Sequence, residues 1–276
     1  LSHEEIDALW DSKPELKDLK LEHIERQCKE NGSQDLLYKF KTDIIRLSRL
    51  WKHEPKERKS DAVECHITMP ADHKPWFHRS RAMNPHQREE LSTALKYQLD
   101  KRIIVPSDSP YSSAVMMVPK AGGKLRFVVD LRPLNKQVQS DGYTLPRVDE
   151  ALTSMQGANF VSGLDLRDAF WSCNLTAASR KYTAFQTHMG HFQYRVMPQG
   201  YKNASAVFCR FVDQAIGDMK WIDVLTYIDD LMVFSTTLEE HISKLTKLFE
   251  RLDAAGLTLN PAKCNLMADN IPFLGH

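Results

Sequence analysis

The sequence predicts an α+β fold in which an antiparallel sheet is backed by helices and preceded by a helical amino-terminal extension. Apolar runs flank the acidic pair in Tyr227-Ile228-Asp229-Asp230, a pattern typical of a strand, a tight turn and a second strand. Another apolar segment, residues 160–164, ends at Asp165. Residues 1–60 instead show helical spacing of their apolar side chains. We therefore expect local helices at the start of the chain and a hairpin-based sheet later.

The composition is that of a globular protein. Of the 276 residues, 42% are hydrophobic and 26% are charged, which is enough material for two packed subdomains. The formal net charge is only +1, but residues 71–136 contain twelve Lys and Arg against six Asp and Glu. This local excess would attract phosphates, and an ordinary solvated surface explains it equally well.

Cysteine, histidine and hydropathy patterns argue against three classes of protein. The five cysteines are an odd set without a Cys-x-x-Cys pair, which disfavours a disulfide framework or a zinc knuckle and favours a reducing compartment. The histidine spacing fits no standard zinc pattern. Because no apolar run approaches the length of a membrane span, we expect a soluble chain.

The amino-terminal extension, residues 1–60, is predicted to be helical and to contain no chemical motif. Ser2-His3-Glu4-Glu5 has the pattern of a capping box. The apolar residues at helical spacing are Leu36, Leu37, Phe40, Ile44, Leu47 and Trp51. We expect this segment to serve packing or partner contact.

The pattern changes to alternation at Val63, where Val63, Cys65, Ile67 and Met69 predict one face of a strand. Asn84-Pro85 then predicts the start of a helix that runs to about Lys101. Further strands are expected at Ile103–Val105, Ser113–Val118 and Leu125–Val129.

The last two of these strands are joined by a glycine-containing tip, residues 120–124. Arg126 lies two residues after Lys124 and therefore on the same face of the strand. Such a tip could fold over a triphosphate, with the lysine as a point charge and the arginine as a bidentate donor. A solvated hairpin is the alternative.

Two later helices complete the predicted elements. Asn203 is expected to cap a helix that runs to about Asp218. A second helix is expected from about Leu238 to Ala255, with Gly256 as its left-handed stop.

Three carboxylates, Asp165, Asp229 and Asp230, are predicted to lie on neighbouring strand ends. They would form an oxygen-rich pocket suited to hard divalent cations such as Mg²⁺. Phosphoryl transfer needs such a site. The alternative for an isolated Asp-Asp pair is that aspartate is simply a good turn residue.

Six further motifs follow one another around the acidic hairpin. They are Val128-Val129-Asp130-Leu131-Arg132-Pro133-Leu134-Asn135-Lys136, Leu145-Pro146-Arg147, Leu164-Asp165-Leu166-Arg167-Asp168-Ala169-Phe170, Arg180-Lys181-Tyr182-Thr183-Ala184-Phe185, Met197-Pro198-Gln199-Gly200-Tyr201-Lys202-Asn203 and Phe273-Leu274-Gly275-His276. In this order they resemble the reverse transcriptases of gypsy-type LTR retrotransposons and retroviruses. The resemblance extends over roughly residues 63–276.

The resemblance implies a right-hand polymerase architecture. Residues 61–145 would be mainly fingers and residues 146–276 mainly palm, with some interleaving, after the extension of residues 1–60. The chain would end in the primer-grip region, without thumb, connection or ribonuclease H regions.

It also implies an RNA-directed DNA polymerase that adds deoxynucleotides to a primer 3′ end. Asp165 and Asp229 would hold two Mg²⁺ ions, with Mn²⁺ as a possible substitute, and Asp230 would complete the metal site. Residues implied to contact the nucleotide are Lys124, Arg126, Asp168, Ala169, Phe170 and Gln199. Residues implied to contact primer or template are Tyr227, Gly200, Phe273, Leu274 and Gly275.

Phe170 has the most specific implied role. In the family an aromatic ring at this position packs under the incoming sugar and leaves no room for a 2′-hydroxyl. The alternative is a core phenylalanine. The implied partners are an RNA or DNA template with its primer, deoxynucleoside triphosphates and the remainder of a pol polyprotein, in the cytoplasm, in virus-like particles or in the nucleus.

Two other functions remain open. A viral RNA-dependent RNA polymerase would share the acidic hairpin, but those enzymes usually have Gly-Asp-Asp there and lack an aromatic gate. A domesticated retroelement domain could act as a nucleic-acid-binding or assembly scaffold, and its expected mark would be loss of the three acids. Gln199-Gly200 departs from many gypsy-type elements, which leaves the subgroup open.

Overall fold

A computed structural model of the chain describes residues 1–52, 64–120, 122–123, 125–143, 153–227 and 229–268. The chain forms two compact units, each built from segments that are distant in sequence. The first unit comprises residues 1–60, 144–169 and 209–276, and the second comprises residues 61–143 and 170–208. The units therefore interleave along the chain, while the assignment of residues 61–145 to fingers and 146–276 to palm stays a prediction.

The described elements alternate between helices and short strands, as expected for an α+β fold. The helices are α1 His3–Asp11, α2 Glu22–Glu30, α3 Gln34–Arg46, α4 Pro85–Asp100, α5 Arg132–Gln137, α6 Ala177–Arg180, α7 Ala204–Ile216 and α8 Leu238–Ala254. The strands are β1 Glu64–Cys65, β2 Ile104–Pro106, β3 Val115–Pro119, β4 Leu125–Val129, β5 Phe160–Asp165, β6 Asn174–Leu175, β7 Phe185–Thr187, β8 Gly190–Tyr194, β9 Val224–Tyr227 and β10 Asp230–Ser235.

In the first unit, a three-stranded antiparallel sheet has the order β5-β10-β9. This arrangement confirms the predicted hairpin and the strand that ends at Asp165. Helix α8 packs on the sheet through His241, whose ring lies 6.2 Å from that of Phe160. The apolar face of α8, at Leu245 and Leu248 among others, is fully buried. As predicted, α8 ends before Gly256, whose φ is +76°.

The amino-terminal helices belong to the same unit as this sheet. The predicted capping box is confirmed, since the Glu5 N–H donates to Ser2 Oγ at 3.2 Å and the Ser2 N–H donates to Glu5 Oε2 at 2.7 Å. Phe40 and Trp51 pack on Phe249 of α8, with ring centroids 6.1 and 5.2 Å apart. The extension therefore contributes to the core instead of standing apart from it.

The second unit contains the sheets β2-β8-β7, β3-β4 and β1-β6. Helix α4 begins with the predicted cap, because the Gln87 N–H donates to Asn84 Oδ1 at 2.8 Å. Three predicted strands are confirmed as β2, β3 and β4, with ends shifted by up to two residues. The glycine pair between β3 and β4 has φ values of +84° and +76° at Gly122 and Gly123, which only glycine adopts readily.

The predicted strand from Val63 to Met69 is wrong in its length. Only Glu64–Cys65 is a strand, although Cys65 and Ile67 are both buried as the alternation predicted. The N–H of Ile67 donates to the side-chain oxygen of Ser179 at 2.9 Å. The sheet hydrogen bonds therefore stop, because a side chain from another segment takes the next donor.

No helix among the described residues is both long and apolar enough to cross a membrane.

Candidate active site

The three predicted catalytic acids lie together at one end of the sheet in the first unit. In the pairing of β5 with β10, Asp165 lies directly opposite Asp230. On its other side Asp230 lies opposite Tyr227 of β9. The N–H of Leu166 donates to the carbonyl oxygen of Asp229 at 3.0 Å, which holds the turn against the end of β5. Strand register therefore brings together acids from two distant segments.

The environment of the acids opposes their negative charge. Burial is the main cause that raises the pKa of Asp165, and the charge of Asp229 raises it further. Burial also raises the pKa of Asp230, with contributions from the charges of Asp229 and Asp165. Asp229 itself is exposed. A cation among these groups would relieve the repulsion between them.

Two residues that the sequence analysis missed contact Asp165. The ammonium nitrogen of Lys263 lies 3.3 Å from Asp165 Oδ2, and both this lysine and Asn260 lower the pKa of the carboxyl through side-chain hydrogen bonds. The N–H of Asn260 also donates to the carbonyl oxygen of Asp165 at 2.9 Å. Neither residue has a local signal, because contact depends on folding across about a hundred residues.

The donor chemistry of this acid cluster fits a hard divalent cation, since such ions take carboxylate oxygens. Among the described residues, however, no three His, Cys, Asp or Glu side chains converge closely enough to form a ready metal cage. Lys263 supplies a positive charge at Asp165 in this arrangement. The residues that would hold a metal are Asp165, Asp229 and Asp230, and their side chains would have to turn toward it.

Tyr227 is part of an apolar cluster beside the acids. Its half-buried side chain packs with Leu225, Met232 and Phe234 of the same hairpin. This packing holds the end of β9 next to Asp230. Ile228 lies outside the described residues, whereas its neighbours Tyr227 and Asp229 are described.

The turn after β5 contains the other predicted residues of the first unit. Asp168 is exposed and has a φ of +49°, a left-handed conformation that is uncommon for residues other than glycine. Ala169 follows as the first residue of a 3₁₀ turn, Ala169–Ser172. The chain therefore reverses sharply within a few residues of Asp165.

The remaining described candidates lie in the second unit. Arg126 is exposed on β4, opposite Val118 of β3. Phe170 is half-buried, and its ring meets Phe208 edge to face with the centroids 5.9 Å apart. Gln199 is exposed. The roles of these three residues in nucleotide binding stay predictions.

Asn135 organises the loop that contains Gly200 and was not singled out from the sequence. Its Nδ2 donates to the carbonyl oxygen of Gly200 at 2.8 Å, and its Oδ1 accepts from the N–H of Lys202 at 2.8 Å. Gly200 has a φ of +85°, which suits this tight turn. Lys124, the primer-grip residues Phe273, Leu274 and Gly275, and the helix predicted to open at Leu145-Pro146-Arg147 lie outside the described residues.

A family comparison matches more than half of the chain. Residues 118–276 match the family described as reverse transcriptase (RNA-dependent DNA polymerase). The matched range includes β5, β9 and β10, and therefore all three acids.

Similar proteins come from a plant virus and a yeast transposon. The chain is 34% identical over 196 residues to the enzymatic polyprotein of cauliflower mosaic virus (strain Strasbourg). This match covers 70% of this chain and 29% of that protein. It is 32% identical over 198 residues to the transposon Tf2-3 polyprotein of Schizosaccharomyces pombe, covering 72% of this chain and 15% of that protein. The chain thus spans less than a third of these relatives.

Solved structures of a foamy viral protein have the same fold. The foamy viral protease-reverse transcriptase in complex with double-stranded DNA is 25% identical, with a TM-score of 0.73, over 86% of this chain and 42% of that chain. The same viral protein in complex with an RNA/DNA hybrid is 21% identical, with a TM-score of 0.76, over 98% of this chain and 34% of that chain.

Proposed function

Because this chain belongs to the reverse transcriptase family, we propose that it contains the polymerase site of an RNA-directed DNA polymerase. The observation that supports this most directly is the strand register that sets Asp165 opposite Asp230 with Asp229 in the adjoining turn. The proposed reaction joins a deoxynucleotide to a primer 3′-hydroxyl and releases pyrophosphate. The template is RNA or DNA.

Asp165, Asp229 and Asp230 hold divalent cations in this proposal. When bound, Mg²⁺, or Mn²⁺ in its place, supplies charge neutralisation at the primer hydroxyl and the triphosphate. The protein contributes the carboxylates and their position, and catalysis by the chain is mainly a matter of placing the reactants. Burial of Asp165 and Asp230 makes cation binding more favourable, since an ion relieves their mutual repulsion.

Other residues position the substrates. Lys124 and Arg126 contact the triphosphate, and the N–H groups of Asp168 and Ala169 donate to its phosphates. Gln199 lies near its sugar. For the primer and template, we assign Tyr227 and Gly200, together with the primer grip at Phe273, Leu274 and Gly275. The exposure of Arg126 and Gln199 to solvent is consistent with such contacts.

The chain is proposed to act as part of a pol polyprotein. Its curated relatives are polyproteins of which it spans less than a third, and the foamy viral relatives were solved with nucleic acid duplexes. We place it in the cytoplasm, in virus-like particles or in the nucleus, a reducing location that suits five buried cysteines without a disulfide among the described residues.

A scaffold function is less well supported. It is suggested by residues 1–60, which contain no chemical motif. Residues 1–52 now have a structural role, since Phe40 and Trp51 pack against Phe249. All three acids are present and share one sheet end.

Primer extension tests the proposal. The wild-type chain is expected to extend a DNA primer on an RNA template with deoxynucleotides and Mg²⁺, and Asp229→Asn is expected to lose this activity because the amide is a poor cation ligand. Asp218→Asn is the matched control, because Asp218 is exposed and pairs with Lys247 and Arg251 away from the acids. Full extension by Asp229→Asn would overturn the proposal. A chain continued beyond His276 should be compared in the same assay.

Phe170→Val tests the proposed sugar gate. Removing the ring is expected to improve ribonucleotide use relative to deoxynucleotide use by roughly 10- to 200-fold, the usual discrimination from steric fit in a small pocket. Phe170→Tyr keeps a ring and should keep the preference. Steady-state extension with each nucleotide type measures the ratio, and an unchanged ratio in the valine variant would assign Phe170 to packing against Phe208.

A further inference from the structure

A segment of the first unit, residues 259–265, lies along the edge of β5 opposite to β10. The N–H of Gly163 donates to the carbonyl oxygen of Asn265 at 2.9 Å, and the N–H of Asn265 donates back to the carbonyl oxygen of Gly163 at 2.8 Å. At the other end of the segment, Leu259 forms an antiparallel bridge with Leu166. The backbone of this segment, here called the lysine segment, is therefore fixed at both of its ends.

Lys263 reaches the acids from this fixed backbone. It ends a 3₁₀ turn, Pro261–Lys263, and its N–H donates to the carbonyl oxygen of Asn260 at 3.0 Å. Its ammonium nitrogen lies 3.3 Å from Asp165 Oδ2, and its side chain is 65% exposed, whereas that of Asp165 is 20% exposed. Since a lysine side chain is a flexible four-carbon stem, the ammonium can leave the carboxylate for solvent by side-chain rotation alone. The backbone of the lysine segment keeps its hydrogen bonds when this happens.

Charge is unbalanced at this end of the sheet. Asp165, Asp229 and Asp230 bring three carboxyl groups together. Within the described ranges of the chain, the only ion pair that any of these acids forms is the one between Asp165 and Lys263. One ammonium therefore stands against three acids, and it contacts an oxygen atom that is also a ligand of the kind that a hard divalent cation takes.

An ammonium and a divalent cation cannot both bind the Asp165 carboxylate at full strength. Positive charges a few ångströms apart repel each other. Mg²⁺ and Mn²⁺ also need several oxygen ligands at once, and no three His, Cys, Asp or Glu side chains of the described residues converge as a ready cage. Binding of such a cation therefore requires that the acid side chains turn toward it and that the ammonium of Lys263 withdraw.

We propose that Lys263 is a competing counter-ion: it neutralises Asp165 as long as no divalent cation is bound, and it is displaced when one binds. It thereby stabilises the chain without metal and lowers the affinity of the acids for metal. The inference rests on the proposed function, which assigns the three acids to cation binding. A lysine that helped to hold the metal would have the opposite effect on affinity.

An ordinary surface ion pair is the alternative, since exposed pairs contribute little to stability. The first unit offers a matched pair for comparison. Lys247 lies 3.4 Å from Asp218 Oδ2, and the two side chains are 47% and 71% exposed. Neither residue has an ion pair with the three acids in the part of the chain that the structure describes. Lys247→Gln therefore removes the same charge from a comparable pair and separates an effect on the acids from an effect of net charge.

The first test measures Mn²⁺ binding to the whole chain by electron paramagnetic resonance of the free ion, without nucleotide or nucleic acid. Lys263→Gln is expected to raise the affinity by roughly 3- to 30-fold, because one positive charge is removed beside a divalent ion at a partly solvated site. Lys263→Arg keeps the charge and should bind Mn²⁺ no more tightly than wild type. Lys247→Gln should match wild type. An unchanged or lower affinity in Lys263→Gln would overturn the competition.

The second test measures stability by urea denaturation, once with a chelator and once with saturating Mn²⁺. With the chelator, Lys263→Gln is expected to be less stable than wild type, because Asp165 loses its counter-ion. Mn²⁺ should reduce or reverse this difference, since the ion stabilises the variant more. A tenfold higher affinity corresponds to about 1.4 kcal/mol of additional stabilisation, so the two tests must agree. The same loss of stability in both conditions would leave Lys263 as an ordinary ion pair and refute the proposal.

Asp229→Asn and primer extension keep this inference apart from the proposed function. Mn²⁺ binding that Asp229→Asn weakens lies at the acids; binding that does not depend on Asp229 would remove the basis of both proposals. If the ion lies at the acids and Lys263→Gln binds it like wild type, the counter-ion role fails and the proposed function stands. If Lys263→Gln binds it more tightly but wild type extends no primer, even with sequence beyond His276, the counter-ion role stands and the polymerase function fails.

Discussion

At the scale of single residues, the acids combine a functional position with a cost to folding. The pKa values of Asp165 and Asp230 are raised mainly by burial, so the folded chain disfavours their charged forms. A raised carboxyl pKa means that stability is lost as pH rises through the folded-state value. Lys263 offsets part of this cost at Asp165. Stability is thus lower at a site whose charge is needed for the proposed metal binding.

Asp230→Asn is therefore expected to stabilise the metal-free chain while removing polymerase activity. The amide has nearly the same shape but no buried charge, so we expect a gain of roughly 0.5 to 2 kcal/mol in the free energy of unfolding. Urea denaturation in the presence of a chelator measures the gain. Added Mg²⁺ or Mn²⁺ should stabilise the wild type more than the variant.

Asp218→Asn is the control, because the pKa of the Asp218 carboxyl is lowered where that of Asp230 is raised. The Arg251 guanidinium hydrogen-bonds Asp218 and is the main cause that lowers its carboxyl pKa, so removing that charge should not stabilise the chain. If Asp230→Asn were less stable than wild type without metal, the acids would be held by contacts other than those described.

At the scale of elements, a buried histidine joins α8 to the strands that contain the acids. His241 is fully buried, with Nε2 lying 2.7 Å from Ser162 Oγ on β5 and Nδ1 lying 2.6 Å from Ser235 Oγ on β10. The Met267 N–H donates to Ser162 Oγ at 2.9 Å, and the Ser235 hydroxyl donates to the carbonyl oxygen of Thr237 at 3.5 Å, so Ser235 has no hydrogen left for the imidazole. Nδ1 must then donate to Ser235. One neutral tautomer of His241 therefore hydrogen-bonds to a serine on each strand, Ser162 on β5 and Ser235 on β10.

Stability is expected to fall between about pH 6.5 and pH 4 because of His241. Burial lowers its pKa from 6.5 to about 4, so the unfolded chain takes up a proton in this window before the folded chain does. Each pKa unit corresponds to about 1.4 kcal/mol, which gives a loss of roughly 3 kcal/mol at the acidic end. Urea denaturation at several pH values across this range measures how the free energy of unfolding depends on pH.

His241→Gln is the variant for this comparison, because glutamine hydrogen-bonds without titrating. The free energy of unfolding of this variant should not show the loss between about pH 6.5 and pH 4 that His241 causes in the wild type. His86→Gln, which replaces an exposed histidine on α4, should keep it. The same slope in wild type and His241→Gln would assign the acid sensitivity to other groups.

At the scale of the whole molecule, each compact unit is built from segments that are not consecutive in the sequence. The amino-terminal helices join the sheet that contains the acids, through the packing of Phe40 and Trp51 on Phe249 and the ion pair of Arg46 with Glu250. The N–H of Leu259 also donates to the carbonyl oxygen of Leu50 at 2.8 Å. The first unit should therefore unfold together with its amino-terminal helices.

Phe40→Ala is expected to lower the free energy of unfolding by about 3 to 5 kcal/mol, the usual cost of removing a fully buried phenylalanine. Leu9→Ala, at a side chain that is 39% exposed, should cost far less. Circular dichroism and a probe of the acid site, such as Mn²⁺ binding, should report the loss at the same denaturant concentration. A separate earlier transition of the helices would contradict the shared core.

Much of the fold was predictable because its signals are local. The caps at Ser2 and Asn84, the stop at Gly256 and the hairpin of β9 with β10 depend on residues within a few positions of one another. The position of the three acids at one end of the sheet was predictable for the same reason, since each ends, follows or begins an apolar strand. The largest error in strand length came after Cys65, where the side chain of Ser179 takes the next backbone donor, while the ends of β2 and β3 were shifted by one or two residues.

The sequence by itself thus determined the local elements, the family and the strand ends at which the three acids lie. Tertiary structure alone decided the register that sets Asp165 opposite Asp230, the approach of Lys263 and the docking of the amino-terminal helices on α8. The physical reason is that such contacts join segments tens to hundreds of residues apart. Their geometry depends on how buried faces pack together, and no short pattern encodes that.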